Sequence, residues 1–426
     1  MKKIFTATLF AFLFFVIYAA EAKFIVFSDP HTFDTILGME GKAFEDYLDS
    51  DRKLLKESSR IIDKFISLVD TVEYDFIIVP GDLTKDGEYL SHILFKSKLD
   101  SLRSLGRRIF VICGNHDIDN PDAHIFNGDK VEPTNTVTKK DFEEIYSDYG
   151  FKESISRDSS SLSYSARANE GLFIIALDGC RYEENKRENY PVTSGKLKKS
   201  TLIWLEEELE KIQNENDKAI VFMHHGVIEH FKGQKKGYKE YVLENNKDLK
   251  KILAKYNVQL VFTGHFHAND IAYERFNSVN LFDIETGSLV THPCPYRIVT
   301  MTDSIVVIET RSIEELDGIE DFNSYKKSYI ENGIKNIAKE KISGFKVNKK
   351  DTERLSEKVA YSFLSHYQGD EVYPEGFLDM NGFSFKARLI AFFQRDLFRG
   401  LLFDSTPDND VTINLNTGEM TRIEGK

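Results

Sequence analysis

The sequence is poor in cysteine, proline and positive charge, and each shortage removes a class of protein. Three cysteines in 426 residues, with no Cys-x-x-Cys pair, exclude a disulfide framework and a cysteine-based zinc module. Nine prolines and 25 glycines exclude collagen-like and low-complexity chains. Lysine and arginine (56) fall short of aspartate and glutamate (69), leaving a formal net charge of −13. A duplex-binding protein carries a basic face, so nucleic acid is disfavoured as a partner. After residue 20 no apolar run approaches the roughly 18 residues of a membrane span.

What is present begins with a targeting segment. Met1-Lys2-Lys3 is basic, Ile4 to Ala20 is apolar apart from Thr6 and Thr8, and Ala20-Glu21-Ala22 offers a small-residue cleavage site before Lys23. This layout predicts a signal peptide over 1–22, with an uncleaved anchor as the alternative. The destination is then the periplasm or the exterior. An oxidising compartment would allow one disulfide among Cys113, Cys180 and Cys294, with no pair singled out.

Short runs rich in Ile, Val and Phe recur along the chain at Phe24–Phe27, Phe76–Val79, Ile109–Ile112, Leu172–Leu177, Ala219–Met223 and Leu260–Phe262. Runs this short read as strands buried on both faces. Segments with helical spacing lie between several of them: Leu54–Val69, Ser91–Leu105 and Leu197–Ile212. The alternation predicts an α/β layered fold. Leu281–Ile284, Arg297–Met301 and Ser304–Glu309 follow without helices and read as a meander in a second sheet. Asp321–Ile342, Asp351–Tyr367 and Phe383–Phe398 are helical in pattern, so 23–315 and 316–426 are expected as two domains, the second small and mostly helical. It is expected to hold a short hairpin over Val411–Thr421. Residues 119–160 read as a long polar connection that caps a site. The greasy stretch from Phe383 to Phe403 is expected to pack within its own bundle or dock on the catalytic domain, in preference to a membrane.

The chemistry lies just beyond the strands. Their ends carry Asp29-Pro30-His31, Gly81-Asp82, Gly114-Asn115-His116-Asp117, His224-His225 and Gly264-His265-Phe266-His267. In α/β sheets, sites form outside the carboxyl ends of strands. Imidazole and carboxylate suit borderline divalent metals such as Mn, Fe, Zn or Co. Asp-x-His and His-x-His put two side chains on one side of an extended segment. Seven donors exceed the needs of one tetrahedral ion and fit two ions sharing a carboxylate. Of the other polar residues, His225 reads as a neighbour of the site, and His92 and Arg297 as structural. Asp178 divides evenly between the site and a turn.

This ordered series resembles the calcineurin-like metallophosphoesterase superfamily over residues 23–311. The blocks around Asp82 and Asn115 are similar to an exported bacterial branch with cyclic-nucleotide phosphodiesterase-like and sphingomyelinase-like members. The resemblance implies an α-β-β-α sandwich of two mixed sheets flanked by helices. It implies that Asp29, His31, Asp82 and His267 hold one metal, and that Asp82, Asn115, His224 and His265 hold the second. His116 would be the catalytic histidine, with Asp117 as a supporting carboxylate, and Asn115 and His116 would meet substrate. The implied reaction is attack by a metal-bridging hydroxide on a small phosphate ester, a diester first. A phosphomonoesterase with the same core is the nearest rival, and an exported, non-catalytic metal-stabilised binding protein is the alternative of another class.

Overall fold

The computed structural model describes residues 22–49, 51–188, 190–403 and 407–423. The signal-peptide segment lies outside the described residues except for Ala22, which is buried and opens the first strand.

Two seven-stranded mixed sheets face each other. The first runs, edge to edge, Met420–Arg422, Val411–Asn414, Ile305–Ser312, Pro295–Met301, Ala22–Val26, Phe76–Val79 and Arg108–Val111. The second runs Asp270–Phe276, Val279–Glu285, Leu260–Thr263, Lys218–Met223, Leu172–Leu177, Tyr164–Asn169 and Ser156–Arg157. The central strands of both sheets are parallel: Ala22–Val26 with Phe76–Val79 and then Arg108–Val111, and Leu172–Leu177 with Lys218–Met223, Leu260–Thr263 and Val279–Glu285. Those central strands are the apolar runs of the sequence. Being covered on both faces, they lack the alternation of a half-exposed strand.

Aromatic side chains fill the space between the sheets. Phe24 stacks on Phe76 of its own sheet at 4.8 Å between ring centroids and meets the edge of Phe262 from the other sheet at 5.2 Å. Helices Ser58–Val69 and Tyr89–Ser104 cover the outer face of the first sheet through Phe65 and Phe95, both packed on Phe27. Helices Lys199–Asn214 and Asn246–Lys255 cover the second through Leu205, Leu209, Leu249 and Leu253. Phe24→Ala should lower unfolding stability by about 3–5 kcal/mol, because the rigid sheets cannot collapse into the hole. The midpoint of a urea titration checks this.

The late strands depart from the expected meander. Val279–Glu285 joins the second sheet, whereas Pro295–Met301 and Ile305–Ser312 join the first. The chain crosses between sheets over residues 286–294, and Pro295–Met301 pairs antiparallel with Ala22–Val26. Residues 119–160 also differ from a plain connection. They form a hairpin, His124–Asn127 with Lys130–Pro133, and a helix, Lys139–Ile145, begun by a capping box between Thr138 and Asp141. Phe126 of the hairpin packs with Phe33 and Phe44 in a small lobe beside the strand ends.

Three helices follow the strands: Phe322–Ser343, Lys349–Gln368 and Phe385–Gly400. Each is started by a side chain that accepts a backbone N–H of its first turn, from Asp321, Asn348 and Ser384 respectively. The greasy stretch divides. Phe383, Phe398, Leu401 and Leu402 are buried, while Phe385, Phe392, Phe393 and Phe403 are exposed. The hairpin of Val411–Asn414 with Met420–Arg422 leaves the helices and extends the first sheet by pairing with Ile305–Ser312. No helix among the described residues is long and apolar enough to cross a membrane.

Candidate metal centre

The five strand ends converge on one buried cluster. Asp29, His31, Asp82 and His267 offer ligand atoms within 4.8 Å of one another, and so do Asp82, His224 and His265. Asp82 belongs to both groups. In the first, His31 Nε2 lies 3.1 Å from His267 Nε2 and 3.7 Å from Asp82 Oδ2, and His267 Nε2 lies 3.4 Å from Asp29 Oδ1. In the second, His224 Nε2 lies 3.3 Å from Asp82 Oδ2 and 3.0 Å from Asn115 Oδ1. All seven side chains expected as ligands are therefore brought together.

The way they are brought together differs from the expected extended segments. Asp29, His31, Asp82, His265 and His267 all have positive φ, at 50°, 35°, 48°, 81° and 70°. Non-glycine residues rarely adopt this left-handed region, and such strain gathers at functional sites. The Asp29–His31 and His265–His267 segments are thus kinks that turn both side chains inward, and strand alternation plays no part in them. The fit between kinks is close. A Cβ on Gly114 would stand 2.0 Å from Asp82 Oδ1, and one on Gly264 2.3 Å from Asp29 Oδ2, so only glycine allows this approach. Phe266, between the two histidines, points the other way and stacks on Phe363 of the helix Lys349–Gln368.

The donor set fits two divalent ions. His224 Nδ1 donates to the Pro80 carbonyl at 2.9 Å, which aims Nε2 at Asp82, where a bound ion would replace its proton. His265 Nε2 is buried with no hydrogen-bond partner among the described residues, as expected of a waiting ligand. Burial disfavours a charged His224, but the Asp82 carboxylate outweighs it and the imidazole is pushed up to about 10. Positive charge is what this cluster of carboxylates attracts. The backbone N–H of His265 donates to Asp29 Oδ2 at 3.1 Å, and that of His116 donates to Asp82 Oδ1 at 3.0 Å. Both carboxylates are thereby oriented before any ion binds.

His116 stands apart from the ligands. Its side chain is 26% exposed, whereas His31, Asp82 and His224 are closed off. It packs edge-on against His31 at 5.0 Å, with Nε2 3.9 Å from Asp82 Oδ2. The expectation that Asp117 supports this imidazole is corrected by the geometry. Asp117 accepts backbone N–H groups from Gly114, Leu83 and Thr84 and the Thr84 hydroxyl, so it ties the Asp82 loop to the Asn115 loop. Burial and the nearby Asp82 push its carboxyl up to about 7, with those donors pulling it back. The partner of His116 is Asp86, whose Oδ1 takes Nδ1–H at 2.7 Å. Asp86 is itself ion-paired with the buried Lys85. Lys53, nearly buried and 3.6 Å from Asp51, adds a lysine charge that acts on His31, where burial and that charge hold the imidazole well below its usual range.

Asp86 and Lys53 went unread in the sequence. Asp86 had a signal, as the second carboxylate of Gly81-Asp82-Leu83-Thr84-Lys85-Asp86; Lys53 lies in an irregular loop and had none. The remaining candidates are structural. His225 holds the Thr193 carbonyl, His92 bridges Tyr146 and the Asp117 carbonyl, and Asp178 braces a turn through Leu162, Cys180 and Tyr182. Arg297, fully buried, donates to the carbonyls of Glu285 and Asp408. The three cysteines are buried free thiols.

Comparisons with known proteins bear on this centre. The Probable purple acid phosphatase 20 of Arabidopsis thaliana is 29% identical over 207 residues, 49% of this chain. The chain spans about two fifths of that relative, 41% of its length. A dimetal phosphatase of Danio rerio superposes with a TM-score of 0.49 at 12% identity, covering 68% of this chain and 96% of its own. A purple acid phosphatase of yellow lupin (Lupinus luteus) seeds gives a TM-score of 0.40 at 14% identity, covering 69% and 52%. The sequence model described as calcineurin-like phosphoesterase matches residues 22–269, more than half of the chain and a span that includes all seven expected ligands, and the chain belongs to that family.

Proposed function

We propose that the protein is a binuclear metal-dependent hydrolase of small phosphate esters and that phosphodiesters are its substrates. The observation that carries this reading is the pair of donor groups sharing Asp82, with His116 as the partly open side chain beside them. When bound, two divalent ions polarise the phosphoryl oxygens and lower the pKa of a coordinated water. The chain's own groups do the rest. Asp86 fixes the Nδ1–H of His116 and directs Nε2 toward the reacting phosphoryl group. From there Nε2–H stabilises negative charge on phosphorus-bound oxygen and protonates the departing alkoxide. Asn115, which is nearly buried against His224, orients that same edge of the site.

Charge supports the diester. A monoester arrives as a dianion and a diester as a monoanion. The cations beside the centre are already engaged: Lys53 with Asp51, Lys85 with Asp86 and Glu88, and Arg52 with the Tyr367 hydroxyl. The word phosphatase in the relatives' names favours the monoester as the second reading. A side-by-side assay with a chromogenic aryl diester and its monoester, in Mn, Zn, Fe or Co, decides between them, with Asp82→Asn as the blank. Faster diester turnover that vanishes in the variant is expected. Faster monoester turnover replaces the diester reading, and silence on both with metal bound favours the non-catalytic alternative. The same reading includes export through the segment 1–22, so that the mature chain starts at Lys23.

A further inference from the structure

A second set of buried ionisable groups lies behind the metal centre, between the second sheet and the helix Lys349–Gln368. It comprises His230, Asp270, Asp283, Glu285, His366 and Glu371. Most of these groups have ordinary partners. Asp283 accepts from the Thr263 hydroxyl at 2.6 Å and from the N–H groups of Val227 and Ile228 at 2.5 and 2.9 Å. Glu285 accepts the Ala268 N–H at 3.2 Å. His230 Nδ1 lies 2.8 Å from Asp270 Oδ1.

One corner does not balance. Asp270 Oδ2 is buried and has no hydrogen-bond partner among the described residues. It points at His366 Nδ1, 3.7 Å away, and the same nitrogen lies 2.5 Å from Glu371 Oε1. Two carboxylates thus converge on one imidazole nitrogen. A single N–H donates well to only one of them, so a proton satisfies Glu371 and leaves Asp270 Oδ2 bare in a dry interior, which is unfavourable. A cation among the three atoms satisfies all of them at once.

We propose that Asp270, His366 and Glu371 form a third metal site, distinct from the binuclear centre, that takes one divalent cation. The three ligand atoms lie within 4.8 Å of one another, the same spread as in the binuclear centre, where carboxylate-to-imidazole separations run from 3.3 to 3.9 Å. Bonds of about 2.0–2.2 Å place tetrahedral ligands roughly 3.4 Å apart, so small rotamer adjustments complete the geometry. One imidazole with two carboxylates selects a borderline ion such as Zn or Mn. His230 holds the other oxygen of Asp270, as an outer partner that orients a ligating carboxylate. The His366 and Glu371 side chains are each 1% exposed, so the site is closed, as structural ions are, and admits no substrate.

Position gives the ion its role. Asp270 follows His267 by three residues, and the Asn269 N–H donates to the Tyr367 carbonyl at 3.2 Å. His366 and Glu371 belong to the end of the helix and the turn after it. The ion joins the helical layer to the very segment that carries His265 and His267. It holds the helices against the catalytic loop without taking part in the reaction.

The test is metal stoichiometry in the full protein. Metal-stripped protein is titrated with Zn alone, and bound metal is counted by elemental analysis. Three equivalents are expected for the wild type. Two are expected for Glu371→Gln and for Asp270→Asn, with turnover in saturating metal retained and the thermal midpoint lowered. A crystal of the wild type, measured at the Zn absorption edge, should show an anomalous peak among the three side chains. Two equivalents in the wild type and no peak there would overturn the proposal, whether or not the variants fold. Two equivalents also distinguish this failure from that of the binuclear reading, which would leave fewer than two.

Discussion

Asp82→Asn should reduce phosphoester turnover by at least about a thousandfold, the equivalent of roughly 4 kcal/mol of transition-state stabilisation. Asp82 is the one residue common to both donor groups, and Asp82 Oδ2 faces His31 at 3.7 Å and His224 at 3.3 Å. The amide keeps the shape and removes the charge. Without that charge, His224 loses what pushes its imidazole upward, and the cluster loses half of its central carboxylate pair. Bound metal should fall together with activity, and elemental analysis on the same sample reads both. A variant that binds its metal and turns over at the wild-type rate would refute the shared-ligand role. The fold should survive, because Asp82 contributes to the rim of the sheets and not to the aromatic core between them.

The second large effect concerns His116. His116→Gln should slow turnover by about 10²–10⁴-fold, the range for a positioned general acid. Asp86→Asn should cost about 10–100-fold, because it removes an orienting partner and not the reacting group. The double variant should be no slower than His116→Gln alone, since Asp86 acts only through the imidazole it holds at 2.7 Å. The leaving group separates this role from a structural one. With a nitrophenyl-type leaving group, which departs without a proton, the His116→Gln deficit should shrink; with an alkyl leaving group it should be largest. Equal deficits on both would mean that His116 only binds the phosphoryl oxygens.

The centre was legible in the sequence because each of its ligands follows a short apolar run. Phe24–Phe27, Phe76–Val79 and Ile109–Ile112 could only be buried strands, and the polar residues after them had nowhere to go but the shared rim. Local spacing carried that much. It could not carry backbone conformation: Asp-x-His and His-x-His suggested extended chain, and the residues turned out to sit in left-handed kinks. Nor could it assign sheets. Nothing in Arg297–Met301 says that its partner is Ala22–Val26, because that choice depends on a crossover at residues 286–294. Asp117 drew the supporting role because it adjoins His116 in the chain, whereas the imidazole ring reaches across to Asp86 on another loop, which chain adjacency could not reveal. The cluster of Asp270, His366 and Glu371 gave no signal, since its members are brought together by tertiary packing alone.

The pairing of Ala22–Val26 with Pro295–Met301 also governs the order in which the protein can be made. A chain emerging from its amino end can pair its first strand with Phe76–Val79 early. The opposite edge of that strand must wait until about 270 further residues have followed. Through that interval the edge of a largely apolar strand is open to any other extended segment, which is the hazard of slow, non-local sheets. The final hairpin lengthens the wait, because the outer part of the same sheet closes only with Val411–Asn414. Under the proposed export, this delay becomes an asset: the first sheet cannot close while the last residues are still unmade.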